Sequence, residues 1–243
     1  MFTVRIADIA IGIDNKYAYV FDISRDYLTH CEPSFTLSAS ESDIEKERSL
    51  AERDFPVGVL ESTAIYRKMA EKLLDFDAFV FHGAVIEKDG GAYLFTAKSG
   101  VGKTTHIRLW HEYFGKSVSV LNGDKPVIRL INGEVFVSGS PWRGKEGYGR
   151  PGLLRLSGIA FLERGEQNEA HPVKLDEVTM KFATQAHIPR TEGAAKALRL
   201  FDKVLSLVPL IALKCNMSPE AARVAHSAFV EAEKIRFNKN CSI

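Results

Sequence analysis

The chain has 243 residues, of which 45% are hydrophobic and 26% charged, which suits a packed globular chain and argues against disorder. Its formal net charge of +1 argues against a general nucleic-acid binder. No apolar run approaches the roughly 20 residues of a membrane span. Cys31, Cys215 and Cys241 are too scattered for a zinc site or a disulfide framework, so a reducing, cytoplasmic setting is expected.

The opening residues, Met1-Phe-Thr-Val-Arg-Ile, read as a strand rather than a secretory leader. Tyr17-Ala-Tyr-Val-Phe21 has strand propensity too, with Asp14-Asn15-Lys16 as the turn between. Residues 41–53 are charged with few apolar anchors and read as a solvated helix or surface loop, which Pro56 ends. Ala64, Ile65, Met69 and Leu73 recur at helical spacing and predict a helix from Glu61 to Leu74. Phe79 to Ile86 reads as one strand, and Lys88-Asp-Gly-Gly91 as a turn into the next. Strands are expected at 117–121, 127–131 and 134–137, the last two joined by the hairpin signal Asn132-Gly133. A glycine-rich loop, 139–149, follows, with Trp142 expected to be exposed. Beyond it come a strand at 157–163, helices at 175–187 and 194–207, and a short strand at 208–213. Ser218-Pro-Glu opens a last helix with a serine cap and a proline in the first turn. Residues 1–243 are expected to form one α/β domain with a mixed sheet: a β-rich elaboration over 1–57, then a core and C-terminal helices over 58–243.

The segment Ala97-Lys-Ser-Gly-Val-Gly-Lys-Thr104 matches the phosphate-binding pattern G-x-x-x-x-G-K-[ST] except that alanine replaces its first glycine. An apolar strand precedes it and a helix with Ile107, Leu109, Trp110 and Phe114 on one side follows, so a bound anion would face a helix N-terminus. Backbone and side chains of Ser99, Gly100, Val101, Gly102, Lys103, Thr104 and Thr105 are the expected nucleotide contacts. Lys103 would supply charge to the β- and γ-phosphates, and the Thr104 hydroxyl suits Mg²⁺.

Phosphoryl transfer needs a metal bridge, positive charge on the moving group and a residue that orients or deprotonates the acceptor. Asp124, just past a strand end, is a candidate base or metal ligand. In the competing reading it caps the backbone of an Asn-Gly-Asp turn. His82 interrupts an apolar strand and is a candidate proton acceptor or phosphate donor, or else a hydrogen-bonded core residue. Within the glycine-rich loop, Arg143 or Lys145 would stabilise charge on the phosphoryl group and Glu146 would join Thr104 and Asp124 around the metal. Arg150 and Arg155 are weaker candidates.

His82-Gly83, a hairpin, the loop Ala97–Thr104 and an acid at the next strand end come in the order of the HPr kinase/phosphorylase catalytic domain, which the chain resembles over roughly 60–150. That resemblance implies the fold shared with the ATP-dependent phosphoenolpyruvate carboxykinases. It also implies a bacterial enzyme that uses ATP and Mg²⁺ to phosphorylate a hydroxyl, and an oligomeric assembly. His82 would lie near the acceptor, Lys103 and Thr104 would cradle nucleotide and metal, and Asp124 would act as base or ligand. HPr kinases carry two acids at that strand end. Here Gly123 and Lys125 flank a single one, and Arg143-Gly144 is the nearest match to their arginine-glycine signature. The implied acceptor is therefore the hydroxyl of another protein, a peptide or a small molecule. The alternative is a regulatory module that binds nucleotide without transferring phosphate.

Overall fold

A computed structural model describes residues 1–188 and 193–240, the side chains of 236–240 excepted. Cys241 lies outside that range; Cys31 is exposed and Cys215 half-buried, and both are free thiols. Among the described residues no helix is long and apolar enough to cross a membrane.

The chain opens with β1 (Phe2–Ile6) folded back on β2 (Ile9–Asp14) through Ala7 and Asp8, both at positive φ. β3 (Phe35–Ser38), which the sequence did not announce, runs parallel to β2 and completes a three-stranded sheet. Between them the expected strand at 17–21 is a helix, α1 (Ala18–Ser24). The cause is tertiary. The buried carboxylate of Glu61 accepts the backbone N–H groups of Lys16 and Tyr17 at 2.6 and 3.1 Å, holding the entry to α1 from a neighbouring helix. That neighbour, α3 (Val57–Lys72), begins directly after Pro56 and approaches α1 at Gly58, where a Cβ would stand 3.0 Å from that of Tyr19. The charged stretch at 41–53 supplies α2 (Glu41–Leu50), capped by reciprocal bonds between Ser40 and Asp43.

Among the described residues the second sheet has nine strands. β4 (Ala78–Val80) and β5 (Ala84–Lys88) replace the single strand expected at 79–86. The break falls at His82-Gly83 because the two halves pair differently: β4 with β8 (Val127–Ile131), β5 with β6 (Gly91–Thr96) and β7 (Val118–Asn122). Asp89-Gly90 and Asn132-Gly133 both take positive φ, as tight hairpin turns require, the second leading into β9 (Glu134–Ser138). The centre is β10 (Leu153–Arg164), longer than the expected 157–163. Its first residues pair antiparallel with β9, and the rest lies parallel to both β6 and β12 (Leu210–Cys215). β11 (Glu169–Pro172), also unannounced, pairs with β12.

Apolar clusters cover both faces of this sheet. On one face α4 (Lys103–Phe114) and α7 (Glu220–Asn240) bury Ile107, Trp110, Ala225 and Phe229. Gly158 lets Phe229 lie flat on the strand, since a Cβ there would sit 2.2 Å from the ring. On the other face α5 (Leu175–Ala183) and α6 (Gly193–Leu207) bury Phe182, Phe201 and Val204. The helix expected to reach His187 stops at Ala183, because the chain beyond it bridges Phe81 through Ala186. A third cluster runs from β1 and β2 through α3 to Val80 and Val127, so the N-terminal elements pack on the β4–β8 edge. The architecture is mixed α/β.

Candidate functional site

β6 and β10 end side by side, and the segment 97–102 connects β6 to α4 above that edge. Gly100 and Gly102 take φ of +80° and +131°, conformations that side chains with a Cβ disfavour. A Cβ on Gly100 would meet nothing within 4 Å, so the bend faces open space. The first closed helical bond runs from the His106 N–H to the Gly102 carbonyl at 2.9 Å. The amides of Lys103, Thr104 and Thr105 precede it and have no acceptor within the helix. Together with the helix dipole they form a cradle shaped for an anion. Val101 departs from this pattern: its N–H is bonded to the Lys98 carbonyl at 3.3 Å, and its side chain packs on the cluster under α4 and α7. His106, in the first turn, is buried, and burial pushes it down to about 3, so it places no charge behind the loop.

Lys103 bends back and donates to the Ala97 carbonyl at 2.9 Å. Burial lowers its pKa, and the nearby Asp124 charge offsets only part of that. From outside, Arg164 at the end of β10 donates to the carbonyls of Gly100 and Val101. Nothing in the sequence pointed to Arg164: it lies 63 residues from Val101 and reaches the loop only because β10 pairs with β6.

Opposite the loop, Asn122 at the end of β7 is fully buried and accepts the N–H groups of Asp124 and Lys125, each at 2.8 Å. Asn122 therefore caps the turn and leaves the Asp124 carboxylate free for other contacts. The Asp124 Oδ1 lies 3.2 Å from His82 Nε2 and 3.5 Å from Lys125 Nζ. Burial pushes Asp124 up, but the His82 hydrogen bond and the Lys125 charge outweigh it, and the net shift is below the usual carboxylate range. His82 is held from both sides of the strand break: its N–H donates to Gln185 at 2.7 Å and its carbonyl accepts from Thr96 at 3.2 Å.

The loop 139–149 lies against this turn. Gly123 donates to the Tyr148 carbonyl at 2.9 Å, and a Cβ at Gly123 would stand 3.2 Å from that of Tyr148. The room for a second acid beside Asp124 is thus taken by the loop. Trp142 is half-buried rather than exposed, its ring tilted against that of Tyr66, and it donates to Ser62 at 3.1 Å. Arg143 is engaged from the N-terminal side: its guanidinium meets Asp26 at 2.6 Å and lies 5.3 Å from the Tyr27 ring centre. Arg150 pairs with Glu87 and Arg155 with Glu134, and neither lines the cavity.

A cavity of about 450 Å³ joins these parts. Ser99, Gly100 and Gly102 to Thr105 form one side; His82, Asp124 and the loop residues Arg143, Lys145 and Glu146 form the other. Thr104, Asp124 and Glu146 line the same space, and their oxygen atoms are a donor set that suits a hard cation. Among the described residues no three His, Cys, Asp or Glu side chains cluster as a metal site of their own.

No protein-family model matches the chain, and no curated protein matches it. Among solved structures it is similar to the HPr(Ser) kinase/phosphatase from Coxiella burnetii, at 9% identity over 67% of this chain and 94% of that one, with a TM-score of 0.39. This is a distant structural relationship.

Proposed function

We propose that the chain is an ATP-dependent kinase, of the HPr kinase-like P-loop type, that phosphorylates a hydroxyl group. The observation that carries the reading is the shared cavity: free helix-terminal amides and Lys103 on one wall, the Asp124–His82 pair on the other. The amides of Lys103, Thr104 and Thr105 bind the phosphates of the nucleotide, and Lys103 exchanges the Ala97 carbonyl for phosphate oxygens. Asp124, ionised at neutral pH, takes the proton of the acceptor hydroxyl, and His82 holds the carboxylate in place. The acceptor oxygen bonds to the γ-phosphorus as the bond to the β,γ-bridging oxygen breaks, and ADP leaves with that electron pair. Mg²⁺, held by Thr104 with Asp124 or Glu146, would neutralise charge on the β- and γ-oxygens. Lys145 has the free charge near the cavity that Arg143, tied to Asp26, does not. Residues 1–57 serve in this reading as an elaboration that closes one side of the catalytic core.

A second reading, nucleotide binding without transfer, is favoured by the single acid beside Gly123. The test is Lys103→Ala with labelled ATP and Mg²⁺. Loss of both acceptor labelling and phosphate release, with an unchanged circular dichroism spectrum, supports the kinase. Tight ATP binding with no labelled product in the unmodified protein supports the module.

A further inference from the structure

A second cavity, of about 760 Å³, adjoins the first and shares Asp124, Arg143, Gly144 and Lys145 with it. Its other walls come from the N-terminal elements: Asp22 and Ile23 of α1, Asp26 beyond it, and Thr63, Tyr66 and Arg67 of α3. Its volume falls in the range of small-molecule sites, about 300–1,000 Å³.

The charges on these walls do not cancel. Arg25 is bound to Asp22 at 2.7 Å and Arg143 to Asp26 at 2.6 Å, so both acids of the N-terminal wall are spent. Arg67 is paired through Nε with the buried carboxylate of Glu47 at 2.6 Å, its side chain remains half-exposed, and among the described residues its terminal nitrogens make no hydrogen bond. Lys125 and Lys145 add positive charge beside Asp124. Tyr66 and Trp142, with ring centres 5.3 Å apart, supply an apolar flank. The Tyr66 hydroxyl has no hydrogen-bond partner among the described residues. Burial and the Asp124 charge push its pKa up, so it stays a donor.

We propose that this cavity is the acceptor chamber, and that the acceptor is a small hydroxyl compound bearing an anionic group. This rests on the kinase reading. The anionic group sits on Arg67 and the Tyr66 hydroxyl, the carbon skeleton lies along Tyr66 and Trp142, and the hydroxyl meets Asp124 where the two cavities join. An arginine fork matches a carboxylate or phosphate in two parallel hydrogen bonds, which explains why arginine stands at that wall.

The test uses the full chain with labelled ATP, Mg²⁺ and five probes: D-glycerate and L-malate as anionic hydroxyl compounds, glycerol and D-ribose as neutral ones, and the blocked peptide acetyl-Gly-Ser-Gly-amide. ADP affinity is measured separately by calorimetry. The expected result is labelling of an anionic probe well above the others. Arg67→Met is expected to raise that probe's KM about tenfold or more. Tyr66→Phe, which keeps the packing, should raise it less, and ADP affinity should hold in both. Equal or better labelling of the neutral probes or the peptide overturns the proposal, as does an unchanged KM in both variants. Probe binding to the nucleotide-free protein, read from Trp142 fluorescence with Trp142→Phe as blank, separates the two claims. Saturable binding of an anionic probe without any ADP binding sinks the kinase, and the acceptor role with it, and leaves only an anion site at Arg67. Tight ADP binding without a saturable probe signal or transfer sinks the chamber.

Discussion

His82 Nε2 stands 3.2 Å from Asp124 Oδ1, joining a residue that breaks one strand to a residue that follows the end of another. The contact fixes the direction of the only carboxylate at that turn, because the backbone capping is done by Asn122. It also sets how the site responds to acid. The folded pKa of Asp124 is lowered, so its stabilising ionised form persists below the usual carboxylate range and is lost only as pH falls through that lowered value. In a pH–rate profile of phosphoryl transfer, the acid limb is expected below the ordinary carboxylate range. Asp124→Asn should remove that limb and cut the rate about 10²–10⁴-fold while ADP affinity holds. A limb that is unmoved in this variant would assign it to another group.

Arg164 holds the loop from its outer side, on the carbonyls of Gly100 and Val101. Charged hydrogen bonds of this kind orient the backbone whose amides face the opposite way. Arg164→Ala is expected to weaken ADP binding about tenfold by calorimetry, with little change in the thermal midpoint. An equal affinity would show that the loop keeps its shape without the tether.

Gly123 carries the weight of the loop, with Tyr148 Cβ 3.2 Å from where its own Cβ would stand. Gly123→Asp would place two acids side by side yet press on Tyr148. The expected outcome is a loss of about 1–3 kcal/mol in urea unfolding and lower transfer activity. A more active variant would mean that the loop yields without harm to the site.

Asp43 tests the packing of the N-terminal helices. Lys68 and Ser40 hold its carboxyl down at about 2 from an ordinary 3.8. Its folded value is the lower one, so the stabilisation is complete above about 3.8 and disappears as pH falls through about 2. Asp43→Ala is expected to cost about 1 kcal/mol at neutral pH, a typical loss for a helix cap, and progressively less across that acid window. A pH-independent difference in urea midpoints would place the effect in packing instead.

Much of this was legible in local sequence. Asn132-Gly133 and the turn before Gly91 specify positive φ within two residues, so those hairpins could be read directly. The cradle was legible for the same reason: Gly100 and Gly102 permit the bend, and an apolar strand and an amphipathic helix flank it. The long helices announced themselves by period. α1 did not, because aromatic residues that favour strands were overruled by the Glu61 carboxylate, 44 residues from Tyr17.

What the sequence determined by itself is what short-range sterics and periodicity encode: the strand–loop–helix, the turns, and the residue types able to handle phosphate and protons. Tertiary structure decided which of those residues meet. It set His82 against Asp124, drew Arg143 off to Asp26, brought Arg164 under the loop, and opened two cavities around one carboxylate. Such pairings depend on strand order and helix packing between segments distant in the chain, and no local pattern carries that information.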